Sequence, residues 1–232
     1  MNITYGIITC DDTCQFIPKI IESILGQNGL NYEIIIIGGN RDWTEIDSRI
    51  NHIKFDENIK KSWITKKKNL ITENATNEII VYLHDYVYFD KNWLKELENF
   101  GENWDLLCNP VLNENGGPFR SLAYLDKPNL GRKWTIREKW CPLEGFHCEG
   151  SHHHIAHPEN GFDHRYVYIN GTYFIAKKHI MEKYPLNEEL SWGMGEDAEH
   201  SIRIRDKVKI VYNPHSIVKL CKHKELGIPI CV

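Results

Sequence analysis

Short apolar runs alternate with amphipathic helical patterns through the first half of the chain. Residues 3–9 form a β-rich run, and residues 32–37 and 78–83 are near-continuous apolar stretches, typical of parallel strands buried on both faces. Between the first two runs, one helical face carries the apolar residues Phe16, Ile20, Ile21, Ile24 and Leu25. This alternation predicts an α/β domain with a mostly parallel central sheet flanked by helices.

Weaker patterns extend the alternation toward the carboxyl end. They predict further helices at residues 62–74, 91–100, 178–184 and 195–205, further strands at 52–55, 105–108 and 208–212, and a strand pair or hairpin at 166–176. By contrast, residues 111–165 are rich in Gly, Pro, Asn, His and Trp and show no sustained period. A segment of this length without regular structure is typical of a functional loop or lid.

The charge balance and the amino terminus narrow the function classes. The chain has 232 residues, which suits one domain, and its 28 basic and 32 acidic residues give a net charge of -4 without a long basic run. We therefore expect no nucleic-acid partner. The amino terminus lacks the pattern of a signal peptide, and no segment approaches the roughly 20 apolar residues that a transmembrane helix needs. We expect a soluble, cytoplasmic protein whose seven cysteines, an odd number, are reduced.

One candidate site follows the apolar run at residues 78–83. His84 and Asp85 come at its carboxyl end, and open α/β sheets bind ligands in the crevice beyond that end of their strands. A carboxylate suits Mg²⁺ or Mn²⁺, which bridges to a diphosphate and neutralises a leaving group. The alternative is that Asp85 only caps a turn.

A second candidate site lies before the predicted helix at 195–205. Trp192 and the two glycines Gly193 and Gly195 precede the acidic pair Glu196 and Asp197, which opens the helix where its dipole favours negative charge. A carboxylate at the rim of a site can remove a proton from an attacking hydroxyl. An acidic helix start without catalytic function is the alternative.

Together these stretches resemble the GT-A glycosyltransferases, in particular the inverting, family-2-like members. The resemblance rests on the first two strands, on Lys68-Asn69, on LHDYV followed by Asn92-Trp93-Leu94, and on WGMGEDAEHSIR. It implies one GT-A domain over residues 1–232. Residues 1–110 would bind the nucleotide sugar, 111–165 would insert a loop or lid, and 166–232 would carry the acceptor and catalytic half. The chain departs from the family where Tyr86 or His84 replaces a second acidic residue.

The resemblance also implies roles for individual residues. Asp197 would be the general base of a hexosyltransferase-like reaction with inversion, and Glu196 would orient the site or bind the acceptor. A Mn²⁺ or Mg²⁺ ion would be held by Asp85, with His223 preferred over His215 as a further ligand. The donor would be a nucleotide sugar, with a UDP-sugar expected, and the acceptor a glycan, lipid or protein. Its donor-side residues would be Thr9, Gly39, Asn40, Lys68, Asn69 and His84, and its acceptor-side residues Trp192, Gly193 and Gly195.

The Cys- and His-rich tract within residues 141–157 leaves a further alternative open. The alternative is a structural Zn²⁺ site, but the spacing of the candidate ligands matches no closed Zn²⁺ motif, so a polar acceptor-side loop is the preferred interpretation. The candidate ligands are Cys141, His147, Cys148, His152, His153, His154 and His157.

Two other function classes compete with glycosyl transfer. A nucleotidyltransferase would carry a Gly- and Arg-rich loop after the first strand, where residues 9–13 read TCDDT. The incomplete acidic motif around Asp85 suggests a catalytically inactive sugar- or partner-binding module. The intact Glu196-Asp197 pair argues against such a module.

Overall fold

A computed structural model describes residues 1–10, 14–27, 31–124, 134–135, 149–150, 153–155 and 167–224. Its helices are α1 Ile17–Leu25, preceded by a 3-10 turn at Cys14–Phe16, α2 Ile64–Asn74, α3 Trp93–Phe100, α4 Lys178–Lys183 and α5 Glu196–Ile204. Its strands are β1 Ile3–Ile8, β2 Tyr32–Ile37, β3 Ile50–Ile53, β4 Ile79–His84, β5 Val87–Phe89, β6 Leu106–Cys108, β7 Val111–Leu112, β8 Pro118–Phe119, β9 Leu122–Tyr124, β10 Trp134–Thr135, β11 Glu149–Gly150, β12 His153–Ile155, β13 Val167–Ile169, β14 Tyr173–Lys177, β15 Ile210–Tyr212 and β16 Val218–Leu220.

Seven strands form the central sheet, in the order β15-β6-β14-β4-β1-β2-β3. All neighbours pair parallel except β14, which runs antiparallel to both β4 and β6. The predicted α/β domain with a mostly parallel sheet is thus confirmed. Among the described residues, no helix has the length and apolar composition needed to cross a membrane.

The sheet is buried on both faces, as the apolar runs predict. Side chains alternate along each strand, so Ile7 belongs to the core on the side of α1 and α3, whereas Ile8 belongs to the core on the side of α2, α4 and α5. The apolar stripe of α1 packs Ile20, Ile21 and Ile24 into the first core. Each fully buried side chain of this size stabilises the fold by ~1.5–3 kcal/mol.

Three differences from the sequence-based expectation matter for the site. First, residues 111–165 are not without regular structure, because β7 and β8 join β5 and β16 in a second sheet and β9 pairs with β12 and β13. Second, β13 and β14 are not a hairpin, since β14 lies in the central sheet and β13 pairs with β9. Third, β5 and β16 were not predicted, because a three-residue strand shows too little alternation to stand out.

The Cys- and His-rich tract lies mainly outside the described residues. The described residues include His153 and His154, which belong to β12. They do not include Cys141, His147, Cys148, His152 and His157. The zinc alternative for this tract therefore stays open.

Candidate functional site

An open cleft of about 280 Å³ lies at the carboxyl ends of β1 and β4. This is the edge at which a parallel sheet offers polar groups and backbone atoms to a ligand. The lining comes from both strand ends, from α2 and the segment before it, from the loop before α5 and from the chain after β16. Its members are Ile8, Thr9, Cys10, Glu57, Ser62, Ile64, Lys67, His84, Asp85, Tyr86, Trp192, Lys222 and Lys224.

Asp85 is fixed at the floor of this cleft. Its backbone N–H donates to the Ile8 carbonyl at 3.1 Å, which continues the pairing of β4 with β1 beyond the strand. Its Oδ2 accepts a hydrogen bond from the Thr9 hydroxyl at 2.7 Å, and the residue is 4% exposed. The end of β1 thus holds Asp85 twice, its backbone through Ile8 and its carboxylate through Thr9.

The donor set around Asp85 fits a divalent ion that is shared with a substrate. Mg²⁺ is usually held by one or two carboxylates, with substrate phosphates and water completing its shell, and Mn²⁺ also prefers oxygen ligands. Within the described residues, no three His, Cys, Asp or Glu side chains converge as a metal site made by protein alone. Asp85 is the carboxylate that would hold such an ion.

Lysines supply most of the charge around Asp85. Lys67 donates to the Thr9 carbonyl at 2.7 Å and forms an ion pair with Glu57. Lys222 and Lys224 lie above the ring of Tyr86, with their ammonium nitrogens 4.3 and 4.4 Å from its centroid. Burial, and then the charges of Lys222 and Arg120, lowers the pKa of Lys224 to about 8. The cleft therefore combines a cationic rim with two carboxylates, Asp85 at the floor and Glu57 paired with Lys67.

His84 adds a neutral hydrogen-bonding group to the same cleft. Burial lowers the pKa of His84 well below its usual value, and the positive charges of Lys68 and Lys224 lower it further. The imidazole is therefore uncharged at neutral pH. Its ring centroid lies 5.4 Å from that of Tyr86. The predicted donor-side residues Thr9 and His84 thus both reach the cleft.

The acidic pair lies in a separate, buried cluster at the start of α5. The Asp197 Oδ2 accepts a hydrogen bond from the Gly171 N–H at 3.0 Å, and its Oδ1 accepts one from the Ala198 N–H at 2.9 Å. A Cβ on residue 171 would lie 3.3 Å from the Asp197 Cβ and 3.4 Å from both Glu196 Oε1 and Lys68 Nζ. The absence of a side chain at Gly171 thus lets three charged groups converge on one turn.

Lys68 belongs to this cluster and does not line the cleft. It is 1% exposed, and its ammonium donates to the Gly171 carbonyl at 2.5 Å. Burial lowers the pKa of Lys68, while the negative charges of Glu196 and Asp197 raise it. Burial and the neighbouring Asp197 raise the pKa of Glu196 to about 7, against the opposing effect of Lys68. A carboxylate that titrates near neutrality is suited to proton transfer.

Other predicted site residues occupy different places. The Asn69 side chain donates to the Leu186 carbonyl and to Glu188, both at 2.9 Å, and so holds the segment after α4. Gly39 is buried and Asn40 is exposed beyond β2, and neither is part of the described lining of the cleft. These placements leave the donor-side roles of all three residues as predictions.

In the loop before α5 and in the segment after β16, neighbouring residues differ in exposure and in whether they line the cleft. Trp192 is 64% exposed on the cleft wall, and its backbone N–H donates to the Ser62 carbonyl at 3.1 Å. Gly193 and Gly195 adopt φ angles of 80° and 72°, which side chains rarely tolerate, and so form the turn that leads from Trp192 into α5. His223 is exposed while Lys222 and Lys224 line the cleft, so this placement gives no support to a metal-ligand role for His223.

Sequence reasoning missed Lys222 and Lys224, although a signal was present. The structure places Lys222 and Lys224 in the lining of the cleft and leaves His223, between them, exposed. The sequence KHK at 222–224 could have pointed to the two lysines as well as to the histidine. Tyr86, on which both lysines rest, was noted only as the place of a missing acidic residue.

Comparisons with known proteins support the fold assignment. The chain is similar to S. aureus TarS, a glycosyltransferase: a crystal structure of its residues 1–349 shares 15% identity and a TM-score of 0.61 over 95% of this chain and 60% of that one. A complex of the same TarS fragment with UDP gives 14% identity and a TM-score of 0.60 over 94% of this chain and 60% of that one. A complex with UDP-GlcNAc gives 14% identity and a TM-score of 0.60 over 97% of this chain and 60% of that one.

These similarities show the fold alone, because the identities are low. The present chain spans about 60% of the length of the TarS fragment. No model of a sequence family matches the chain, and no curated protein matches it by sequence.

Proposed function

We propose that this protein transfers a sugar from a nucleoside-diphosphate sugar to a hydroxyl group of an acceptor, with inversion at the anomeric carbon. The observation that carries the proposal is Asp85, held at the floor of a cationic cleft at the carboxyl ends of β1 and β4. The similarity to a glycosyltransferase crystallised with UDP and with UDP-GlcNAc supports a UDP-sugar as the donor.

Asp85 would hold a Mn²⁺ or Mg²⁺ ion against the diphosphate. When bound, such an ion neutralises charge that develops on the leaving group. Thr9 orients the carboxylate through its hydroxyl, and the neutral His84 offers a hydrogen bond to the donor without adding charge. Lys67 fixes the end of β1 by binding the Thr9 carbonyl.

The acidic pair would provide the base. As the acceptor oxygen forms its bond to the anomeric carbon, the bond from that carbon to the phosphate oxygen breaks and its electron pair leaves with the diphosphate. The acceptor proton passes to the carboxylate of Asp197, which keeps acceptor capacity beyond the two backbone N–H groups that it binds. Glu196 would orient the acceptor, and Trp192, with the turn at Gly193 and Gly195, would form an apolar wall for a sugar ring.

A direct test is transfer from a panel of nucleotide sugars with glycan, lipid and protein acceptors, with and without Mn²⁺. The expected result is metal-stimulated release of nucleoside diphosphate and a product of inverted configuration. Donor binding without hydrolysis or transfer to any acceptor would indicate an inactive binding module. Release of pyrophosphate from nucleoside triphosphates would indicate a nucleotidyltransferase, and a product of retained configuration would reject direct displacement.

A further inference from the structure

The segment after β16 is attached to the floor of the cleft at two points. The Cys221 N–H donates to the Tyr86 carbonyl at 2.8 Å, which extends the pairing of β16 with β5. Three residues later, the Lys224 N–H donates to the Asn113 side chain at 2.8 Å. Residues 221–224 therefore lie next to Tyr86, the residue that follows Asp85, and their position does not depend on the lysine side chains.

The two lysine side chains of this segment converge on one aromatic ring. Both ammonium groups lie over the face of Tyr86, and that of Lys224 also donates to the Tyr86 hydroxyl at 2.7 Å. Within the described residues, no carboxylate lies within ion-pair distance of either ammonium. Two like charges held together repel each other, and an anion bound between them relieves that repulsion.

The other charged side chains of the cleft are not available to bind an anion. Lys67 is already paired with Glu57 and with the Thr9 carbonyl. Asp85 and Glu57 carry charges of the wrong sign for an anion. Of the cleft-lining cations, Lys222 and Lys224 are thus the pair with capacity for an anionic ligand.

We infer that Lys222 and Lys224 bind the diphosphate of the donor directly, so that nucleotide binding in this protein has a component that needs no divalent ion. The inference rests on the proposed function, because it takes the nucleoside diphosphate as the ligand of the cleft. It assigns to two lysines part of the charge neutralisation that the ion at Asp85 would provide. Each ammonium has three N–H donors, of which Lys224 already uses one on the Tyr86 hydroxyl, and the hydrogen bonds that the remaining donors make to phosphate oxygens are charge-assisted.

The test measures binding of inorganic pyrophosphate, UDP and uridine by calorimetry in EDTA and again in Mn²⁺. We expect the parent protein to bind pyrophosphate and UDP in EDTA. The double variant Lys222→Met/Lys224→Met should lose roughly a hundredfold or more in both affinities, about tenfold for each lysine. Binding of uridine, which has no phosphate, should not change.

Lys219→Met is the matched control. Lys219 lies on β16, just before the segment 221–224. It forms an ion pair with Asp90 at 2.8 Å and is not part of the described cleft lining. This variant should bind all three probes as the parent does. Lys222→Arg/Lys224→Arg keeps both charges and should retain most of the pyrophosphate affinity, which separates loss of charge from loss of folding.

The outcomes separate this inference from the proposed function. Unchanged pyrophosphate and UDP binding by the methionine double variant in EDTA, or no binding of pyrophosphate by the parent in EDTA, would overturn the lysine assignment while metal-dependent transfer could still stand. Lysine-dependent pyrophosphate binding without turnover of any nucleotide sugar would support the assignment and contradict the proposed function.

Discussion

The cleft and the acidic cluster lie at the same edge of the sheet but differ in solvent access and charge. The cleft is open, with Asp85 at its floor, the ion pair of Glu57 with Lys67, and a rim that carries Lys222 and Lys224. The cluster of Lys68, Glu196 and Asp197 around Gly171 is closely packed, and Glu196 is 7% exposed. A highly charged leaving group needs cations that can exchange water for phosphate, whereas burial raises the pKa of a carboxyl group, as it does for Glu196.

One turn connects the two regions. The backbone N–H of His84 donates to the Thr172 carbonyl at 3.1 Å, and the neighbouring Gly171 N–H donates to the Asp197 carboxylate. The turn between β13 and β14 therefore links the end of β4, which carries Asp85, to the start of α5. In the proposed reaction it would set the distance between the leaving group and the base.

The largest expected effect is on the acidic cluster, through Asp197→Asn. The substitution keeps the shape of the side chain and removes its basicity, and a general base typically contributes ~10²–10⁴ in rate. We expect turnover to fall by about a hundredfold or more with donor affinity little changed, as measured by steady-state kinetics and nucleotide binding.

Glu196→Gln is the matched comparison for Asp197→Asn. Its expected effect is milder or mainly on the acceptor KM, because Glu196 is assigned to orientation. The raised pKa of Glu196 makes the reverse assignment testable by the same pair of variants. An inactive Glu196→Gln beside a near-parental Asp197→Asn would make Glu196 the base.

The next effect concerns the cleft and follows from Asp85→Asn. An amide binds Mn²⁺ or Mg²⁺ less strongly than a carboxylate, but it still accepts the hydrogen bond from Thr9. We expect the metal-dependent part of nucleotide binding to be lost while the part measured in EDTA remains. The same Mn²⁺ dependence of UDP affinity in variant and parent would show that Asp85 is not a metal ligand.

A third, smaller effect tests whether Lys68 belongs to the acidic cluster. Removing its charge in Lys68→Met should raise the pKa of Glu196 above about 7, because Lys68 lowers it in the folded protein. The expected change is a shift of the acid limb of the rate–pH profile toward higher pH, since Glu196 would then ionise only at higher pH and the site needs the negative charge of its acidic pair.

Lys66→Met is the control for Lys68→Met. Lys66 lies on the same helix but pairs with Glu188 at 3.1 Å, outside the cluster. The rate–pH profile of Lys66→Met should match that of the parent. Lys68→Arg, which keeps the charge, should partly restore the parental rate–pH profile. A change in donor KM without a shift of the profile would instead return Lys68 to the donor-binding role that the sequence predicts.

The sequence predicts the parts of this architecture that depend on local pattern. Buried parallel strands are continuous apolar runs, so β2 and the end of β4 with Asp85 could be predicted. The place of Lys68 in the acidic cluster could not be predicted, because its partner Gly171 lies 103 residues away and only the tertiary fold brings the two together. The same holds for β16, which positions Lys222 and Lys224. Its register is set by pairing with β5 and β7, which are distant in sequence, so it could not be predicted from local pattern.

The smallest expected effect concerns the wall of the cleft, through Trp192→Ala. Because Trp192 is 64% exposed, its removal should change the free energy of unfolding by no more than about 0.5 kcal/mol. Aromatic packing against a sugar ring is expected to contribute about 0.5–1.5 kcal/mol, so KM for the sugar-bearing substrate should rise roughly two- to tenfold with turnover nearly constant. Trp192→Phe should recover part of this loss.

Met194→Ala is the control, since Met194 is 39% exposed in the same loop but lies outside the described lining of the cleft. Equal changes in KM for Trp192→Ala and Met194→Ala would mean that the loop acts through its conformation, and the indole would then have no direct contact with substrate.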